Sequence, residues 1–187
     1  MSAATPRPQD PGSDASAESA APPLLEIERL NVRFGAAVVV DDVSFNVRPG
    51  EKFALVGESG SGKSITALSV LRLVDAAATR GSIRFDGAEL MRKSEREMRG
   101  IRGADISMIF QEPMTALNPL YSVGNQIAEV LELHEGLRPN AARARAVELL
   151  AKTGIPDAEH RVDAYPHQLS GGQRQRAMIA MALACRP

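Results

Sequence analysis

One eight-residue segment restricts the possible folds of this chain more than any other. It begins after the apolar run Phe53–Val56 and ends where apolar residues start to recur at helical spacing. Its sequence is Gly57-Glu58-Ser59-Gly60-Ser61-Gly62-Lys63-Ser64, which fits the pattern G-x-x-x-x-G-K-S. A random chain of this length would match that pattern well under about 1% of the time. The segment therefore predicts a glycine-rich loop between a buried strand and a helix.

A loop of this kind has the chemistry to hold phosphate groups. Glycine lets the backbone turn so that consecutive N–H groups face one point, and the start of the following helix adds partial positive charge. Lys63 is placed to reach the β- and γ-phosphates of a nucleotide, and the hydroxyl of Ser64 is placed to bind Mg²⁺. We predict that the loop, together with Ile65 at the helix start, binds nucleotide.

Hydrophobic periodicity predicts a β-rich first part followed by a helical part, which indicates an α/β fold. The predicted strands cover residues 24–34, Val38–Val40, Val43–Val47, Phe53–Val56, Gly81–Gly87 and Ile106–Phe110. Asp41 and Asp42 are interpreted as a hairpin turn, and Phe53–Val56 as a strand buried on both faces. The predicted helices begin at Lys63, near Ile127, at Pro139 and near Ser170, the last running to Ala184.

The composition excludes several classes of protein. The 22 basic and 23 acidic residues give a net charge of −1, which argues against binding nucleic acid through bulk positive charge. The longest apolar stretch, Met178–Cys185, is far shorter than the roughly 20 residues that span a bilayer. A single cysteine cannot form an internal disulfide, so we expect a cytoplasmic protein. Residues 1–23 have almost nothing apolar to bury and are expected to form a disordered leader.

A second helix start also has features of a phosphate contact. Ser170 and Gln173 have the spacing of a capping box, which by itself is a sufficient structural explanation. The two residues between them, Gly171 and Gly172, are not needed for a capping box and weaken a first helical turn. Glycine there allows a close backbone approach to an anion. If this helix start cannot reach the loop of its own chain, it could serve the loop of a second copy in a head-to-tail dimer.

Three motifs in this order resemble those of the ATP-binding cassette (ABC) transporter ATPases. They are the loop 57–64, Phe110-Gln111-Glu112-Pro113, and Leu169-Ser170-Gly171-Gly172-Gln173. The stretches 110–119 and 165–176 are similar in more detail to the branch that imports dipeptides, oligopeptides or nickel. The resemblance covers residues 24–187. It implies a P-loop NTPase core with an antiparallel β subdomain over 24–112, and a helical subdomain with the signature motif over 113–187.

The resemblance also implies roles for particular residues. Phe34 corresponds to an aromatic residue that stacks on adenine, although a core phenylalanine in an alternating strand is the alternative. Gln111 corresponds to a glutamine that contacts Mg²⁺ and the attacking water and senses the membrane partner. Ser170 and Gly172 correspond to residues that meet the γ-phosphate bound by the opposite subunit. The implied ligands are ATP and Mg²⁺.

The implied partners follow from the same resemblance. They are a second ATPase subunit and two transmembrane permease subunits, with an extracytoplasmic solute-binding protein acting indirectly. The apolar segment Met114–Tyr121 is the expected docking surface for the permeases, which would place the chain on the cytoplasmic face of the membrane. No nucleic acid is expected.

Complete members of the family continue into an apolar strand that ends in Asp-Glu, and no counterpart of this acidic pair is present here. We expect the missing strand to be a parallel neighbour of Phe53–Val56, so that this chain alone is poorly stable, binds nucleotide weakly and does not hydrolyse it. The alternatives are a soluble or tandem-cassette ABC ATPase, a binding-only fragment, and, with less support, a P-loop kinase or GTPase.

Overall fold

The first part of the chain is built on one antiparallel sheet. The computed structural model describes residues 22–74, 77–110 and 116–187, so most of the expected leader 1–23 lies outside the described residues. The four strands are β1 (Leu25–Phe34), β2 (Ala37–Val47), β3 (Ala78–Phe85) and β4 (Ala88–Glu89). Their order in the sheet is β2-β1-β3-β4, and every neighbouring pair is antiparallel. The predicted antiparallel sheet is therefore present.

Strand β2 is continuous where the sequence predicted two strands and a turn. Asp41 and Asp42 lie inside it, and the hairpin turn between β1 and β2 is at residues 35–36. The pairing register shifts between Leu30↔Val43 and Val32↔Val40, and Asp42 has a left-handed φ of 49°. The interpretation of Asp41-Asp42 as a turn was wrong because a β-bulge accommodates the extra residue without ending the strand.

Two predicted strands are absent from the described part of the chain. Residues 53–56 belong to no strand, and within 106–110 only Ile106 forms a single bridge, with Arg102. Phe53 stacks on Phe45 with 4.7 Å between ring centroids, yet the side chain of Val56 is 85% exposed. The prediction of a strand buried on both faces was therefore wrong. An apolar run becomes a strand only when another strand bonds to it, and neither run has a ladder partner among the described residues.

The described helices are α1 (Lys63–Val70), α2 (Glu95–Ile101), α3 (Val123–Glu135), α4 (Pro139–Lys152), α5 (Ala158–Arg161) and α6 (Gly171–Ala182), with a 3₁₀ turn at Pro166–Gln168. Four of them, α1, α3, α4 and α6, confirm the sequence predictions with small changes at the ends, and the short helices α2 and α5 were not predicted. Pro139 is the first residue of α4, as its fixed φ favours, and Ser170 is the N-cap of α6. None of the described helices is long and apolar enough to cross a membrane.

Two hydrophobic clusters stabilise the chain. One lies between the sheet and helices α1 and α2, and its buried residues are Ile27, Leu30, Val32, Val40, Val70, Ile83, Leu90 and Met98. The other joins α3, α4, α5 and α6, with Ile127, Leu131 and Leu150 almost completely buried. In the second cluster the start of α3 lies directly against the end of α5. The N–H of Gly124 donates to the carbonyl of Val162 over 2.9 Å.

We expect Gly124→Ala to destabilise the helical part by about 1–3 kcal/mol, the usual cost of overpacking. A Cβ at this position would lie 2.5 Å from the carbonyl oxygen and 2.2 Å from Cγ2 of Val162. The measurement is the free energy of unfolding in urea. Gly100→Ala in α2 is the matched control because a Cβ there meets nothing within 4 Å, and it should be neutral or stabilising. Equal midpoints for the two variants would contradict the close approach of α3 and Val162.

Candidate functional site

The predicted phosphate loop closes around the ammonium group of Lys63. Its Nζ donates to the carbonyl oxygens of Gly57 (2.7 Å) and Glu58 (2.5 Å) and to Oγ of Ser61 (3.2 Å). The N–H of Ser61 donates back to the carbonyl of Glu58 over 3.3 Å. These contacts use all three donors of the lysine and place its positive charge in the loop.

Helix α1 begins at this loop, and no side chain of the described residues caps its first N–H groups. Its N-cap is Gly62, no side chain caps it, and its first turn contains no acidic residue. Helix α2 differs, because its N-cap Ser94 forms a capping box with Glu97. The first N–H groups of α1 and its dipole are therefore left for an external anion.

Gly62 is required at its position by the conformation and by the space around it. It has a φ of 84°, and a Cβ would lie 2.5 Å from the carbonyl oxygen of Val39 in β2. Gly62 also accepts hydrogen bonds from the N–H (2.8 Å) and hydroxyl (3.0 Å) of Thr66, a buried residue of α1. The close approach fixes the start of α1 against the sheet.

A cavity of about 350 Å³ lies at the start of α1. Its lining residues are Val39, Ser59, Gly60, Ser61, Gly62, Lys63, Ser64 and Ile65. Lys63 is the only charged residue among them, and the set includes neither a carboxylate nor an imidazole. The lining can therefore bind an anion, but it supplies no general base.

The predicted cation ligand fits the chemistry of this cavity. Ser64 is exposed at the start of α1 and lines the cavity. Its hydroxyl oxygen is a hard ligand of the kind that Mg²⁺ accepts beside phosphate oxygens and water. The second predicted metal-binding residue, Gln111, lies outside the described residues.

Phe34 lies at the end of β1 and is exposed. It belongs to neither hydrophobic cluster and does not line the 350 Å³ cavity. The structure therefore leaves its aromatic face accessible, and stacking on adenine stays a prediction.

The second predicted helix start has a complete capping box. Oγ of Ser170 accepts from the N–H of Gln173 over 3.2 Å, and Oε1 of Gln173 accepts from the N–H of Ser170 over 2.9 Å. Gly171 and Gly172 are exposed, and a Cβ on either would meet nothing within 4 Å among the described residues. Packing inside the chain therefore does not explain the two glycines.

The structure does not bring this helix start to the phosphate loop. No residue of 169–173 lines the described cavity at α1. The part of Met114–Tyr121 that the structure describes, residues 116–121, lies instead beside α3. There Ala116, Asn118 and Tyr121 line a second cavity, of about 530 Å³.

Val39 and Gln126 are among the residues of these two cavities that were not predicted as site residues from the sequence. Val39 lines the 350 Å³ cavity at the start of α1, called the phosphate cavity below. In the sequence, however, it is one of three consecutive valines in an apolar strand. Gln126 lines the second cavity and is buried, but a glutamine in an amphipathic helix gives no sign of this. Both positions depend on packing between elements that are distant in sequence.

The fold and the phosphate loop define a P-loop nucleotide-binding cassette. The family model described as ABC transporter matches residues 40–187, and the chain belongs to this family. The chain is similar over 87% of its length to a solved dimeric, post-hydrolysis state of the ATP-binding cassette MJ0796 bound to ADP and Pi. That comparison has a TM-score of 0.74 and 26% identity and covers 70% of the solved chain. The predicted ABC cassette fold is thus confirmed.

Curated relatives are similar over most of this chain. It is 55% identical over 172 residues to the peptidoglycan transport ATP-binding protein YejF of Agrobacterium fabrum. It is 48% identical over 170 residues to the dipeptide transport ATP-binding protein DppD of Escherichia coli. Each match covers 88% of this chain, but only 32% of YejF and 52% of DppD. The predicted resemblance to peptide-type transport ATPases is confirmed, and the chain spans about half or less of these relatives.

We expect Lys63→Ala to weaken ATP binding by about ten- to a hundredfold, the range for a hydrogen bond to a charged group. The variant removes the only charged side chain that lines the described cavity at α1. Isothermal titration calorimetry with ATP measures the affinity. Lys52→Ala, which removes an exposed lysine outside this cavity, should bind as the unchanged chain does. Equal affinities for both variants would refute the phosphate assignment.

Proposed function

We propose that this chain is the ATP-binding part of an ABC importer for peptides or related small solutes. The observation that carries the proposal is the uncapped start of α1, with Lys63 in the adjoining loop and a cavity of suitable chemistry. The names of the relatives, peptidoglycan and dipeptide transport ATP-binding proteins, support peptides as the solute class. Binding and hydrolysis of ATP would drive the transport cycle.

The proposed roles of the residues combine the described positions with the family resemblance. The backbone of 57–64 and the ammonium of Lys63 would bind the β- and γ-phosphates of ATP. Ser64 would hold Mg²⁺, which supplies charge neutralisation between those phosphates, and Gln111 would be a further oxygen ligand. Phe34, exposed at the end of β1, would stack on the adenine.

The second helix start would complete the site from another copy of the chain. The capping box uses Oγ of Ser170 as an acceptor, so the hydroxyl proton is still available to donate to a phosphate oxygen. The open space around Gly171 and Gly172 allows that phosphate to approach the backbone. Because no residue of 169–173 lines the described cavity of its own chain, we propose a head-to-tail dimer. The dimeric state of MJ0796 supports this arrangement.

Membrane partners would dock around the segment 114–121, of which the structure describes residues 116–121. Leu120 and Tyr121 are exposed there, beside the 530 Å³ cavity. We propose that two permease subunits dock at this face, with the chain peripheral to the cytoplasmic side of the membrane. A solute-binding protein outside the membrane would act through the permeases. Nucleic acid has no part in this function.

The 187 residues alone are proposed to bind nucleotide weakly and not to hydrolyse it. The described lining of the phosphate cavity includes no carboxylate or imidazole that could activate water. Phosphate release from ATP by the purified chain should therefore stay at the rate of a no-enzyme control under conditions where calorimetry detects ATP binding. Release that is sensitive to Lys63→Ala would contradict this part of the proposal.

The proposed dimer can be tested by mixing two variants, each of which lacks a different one of the two motifs that would form the shared nucleotide site. Lys63→Ala removes the phosphate loop contact, and Gly172→Ala obstructs the second helix start. Neither copy alone should trap a slowly hydrolysed ATP analogue between two chains. In a mixed dimer, the intact loop of one copy meets the intact Gly172 region of the other. An equal mixture should therefore recover about a quarter of the trapped nucleotide, because half of the dimers are mixed and each has one intact site.

The control for Gly172→Ala is a measurement of the stability of this variant. A Cβ at this position meets nothing within 4 Å, so the midpoint of unfolding should be unchanged or slightly raised. Gly100→Ala serves as the matched helix variant and should trap nucleotide normally. A mixture that recovers nothing, while each variant is folded, would show that the two motifs do not act between copies.

A further inference from the structure

Gln126 is a buried polar residue whose amide is completely used in hydrogen bonds. Its side chain is on α3, and the residue is only 8% exposed. Oε1 accepts from the N–H of Asn118 over 2.9 Å. Nε2 donates to the carbonyl oxygens of Asn118 and Tyr121, both at 3.0 Å. A buried amide with matched donors and acceptors fixes the backbone that it contacts.

All three of these bonds go to one short loop, residues 118–122. The other hydrogen bonds within the loop are that of the Leu120 N–H to Oδ1 of Asn118 (3.0 Å) and that of the Tyr121 N–H to the carbonyl of Asn118 (3.4 Å), and Ser122 is the N-cap of α3. Beside the exposed Asn118, the loop presents two large hydrophobic side chains outward, with Leu120 78% exposed and Tyr121 exposed as well. Gln126 thus holds an apolar loop in a fixed shape without taking part in its outer surface.

The fixed loop forms one wall of the 530 Å³ cavity. The cavity is otherwise lined from α3 by Asn125, Gln126, Glu129 and Val130, and from α6 by Met181. Glu129 is exposed and is the only charged residue of this described lining. A surface with exposed apolar side chains and one carboxylate is complementary to an amphipathic segment that has apolar side chains and a lysine or arginine.

We propose that Gln126 is a positioning residue that shapes loop 118–122 to receive a basic, amphipathic cytoplasmic segment of a membrane subunit. The proposal rests on the proposed function for the identity of the partner. It adds two features: the loop is held in its docking shape by one buried amide, and the partner places a cation opposite Glu129. Gln126 itself makes no contact with the phosphate cavity, since it does not line it.

The first test measures the shape of the loop in the chain alone, by hydrogen exchange at the N–H of Asn118. Gln126→Ala should speed exchange about tenfold, because it removes the Oε1 atom that accepts the hydrogen bond of that group. Gln126→Glu keeps an acceptor but loses both Nε2 donors and places a carboxylate oxygen against the carbonyl oxygens of Asn118 and Tyr121, so it should speed exchange as well. Asn125→Ala, which shortens the neighbouring amide on α3, is the control and should leave the rate unchanged. Unchanged exchange in Gln126→Ala would overturn the positioning role.

The second test measures docking on nanodiscs that carry the two membrane subunits of the transporter. Gln126→Ala should weaken binding about tenfold while ATP affinity stays within about twofold, and Gln126→Glu, which lacks the Nε2 donors, should weaken docking as well. Glu129→Gln should weaken docking and reduce its salt dependence without changing the exchange of the loop. Normal docking by Gln126→Ala with a loosened loop would refute the proposal. A wild-type chain that binds ATP but not the nanodiscs would instead refute the proposed membrane partner, and the docking role with it.

Discussion

The start of helix α1 is held against strand β2 by a contact that leaves no space for a side chain. Gly62 is in the left-handed region, and a Cβ there would lie 2.5 Å from the carbonyl oxygen of Val39. This contact fixes the direction of α1, and with it the direction of the unpaired N–H groups in its first turn. Lys63 and Ser64 follow Gly62 in the sequence, so their positions depend on this contact. The phosphate cavity therefore depends on the position of a helix end relative to a sheet, rather than on any single ligand.

The two helix starts implicated in phosphate binding differ in how their own N–H groups are bonded. At α1 no side chain caps the helix, so an anion can gain both hydrogen bonds and the interaction with the dipole. At α6 the side chains of Ser170 and Gln173 already form a capping box. The start of α6 is stable without a ligand. It can contribute only the hydroxyl proton of Ser170 and an unobstructed backbone to a bound ligand. This difference agrees with the proposed roles, in which the start of α1 binds the nucleotide and the start of α6 completes the site from a second copy.

Local signals in the sequence predicted the elements that local chemistry controls. Pro139 at the start of α4 and the capping box of Ser170 act within one helical turn, and both are present. The strand predicted at 53–56 was wrong because its existence depends on a partner strand, which no local pattern can reveal. The turn predicted at Asp41-Asp42 was wrong for a related reason. A β-bulge in β2, opposite β1, accommodates one extra residue, so the strand continues.

The sequence by itself determined the chemistry of the proposed phosphate site, because Gly57–Ser64 are consecutive and their proposed roles depend on backbone conformation within eight residues. Only the tertiary structure decided which residues surround that loop and how loop 118–122 beside α3 is shaped. Val39 and Gln126 act across distances in sequence that no periodicity encodes: one closes against a helix start, and the other holds a loop by its buried amide. Hydrogen bonds and close packing between separate elements form only when the chain is folded. They determine where residues such as Val39 and Gln126 lie and what they contact.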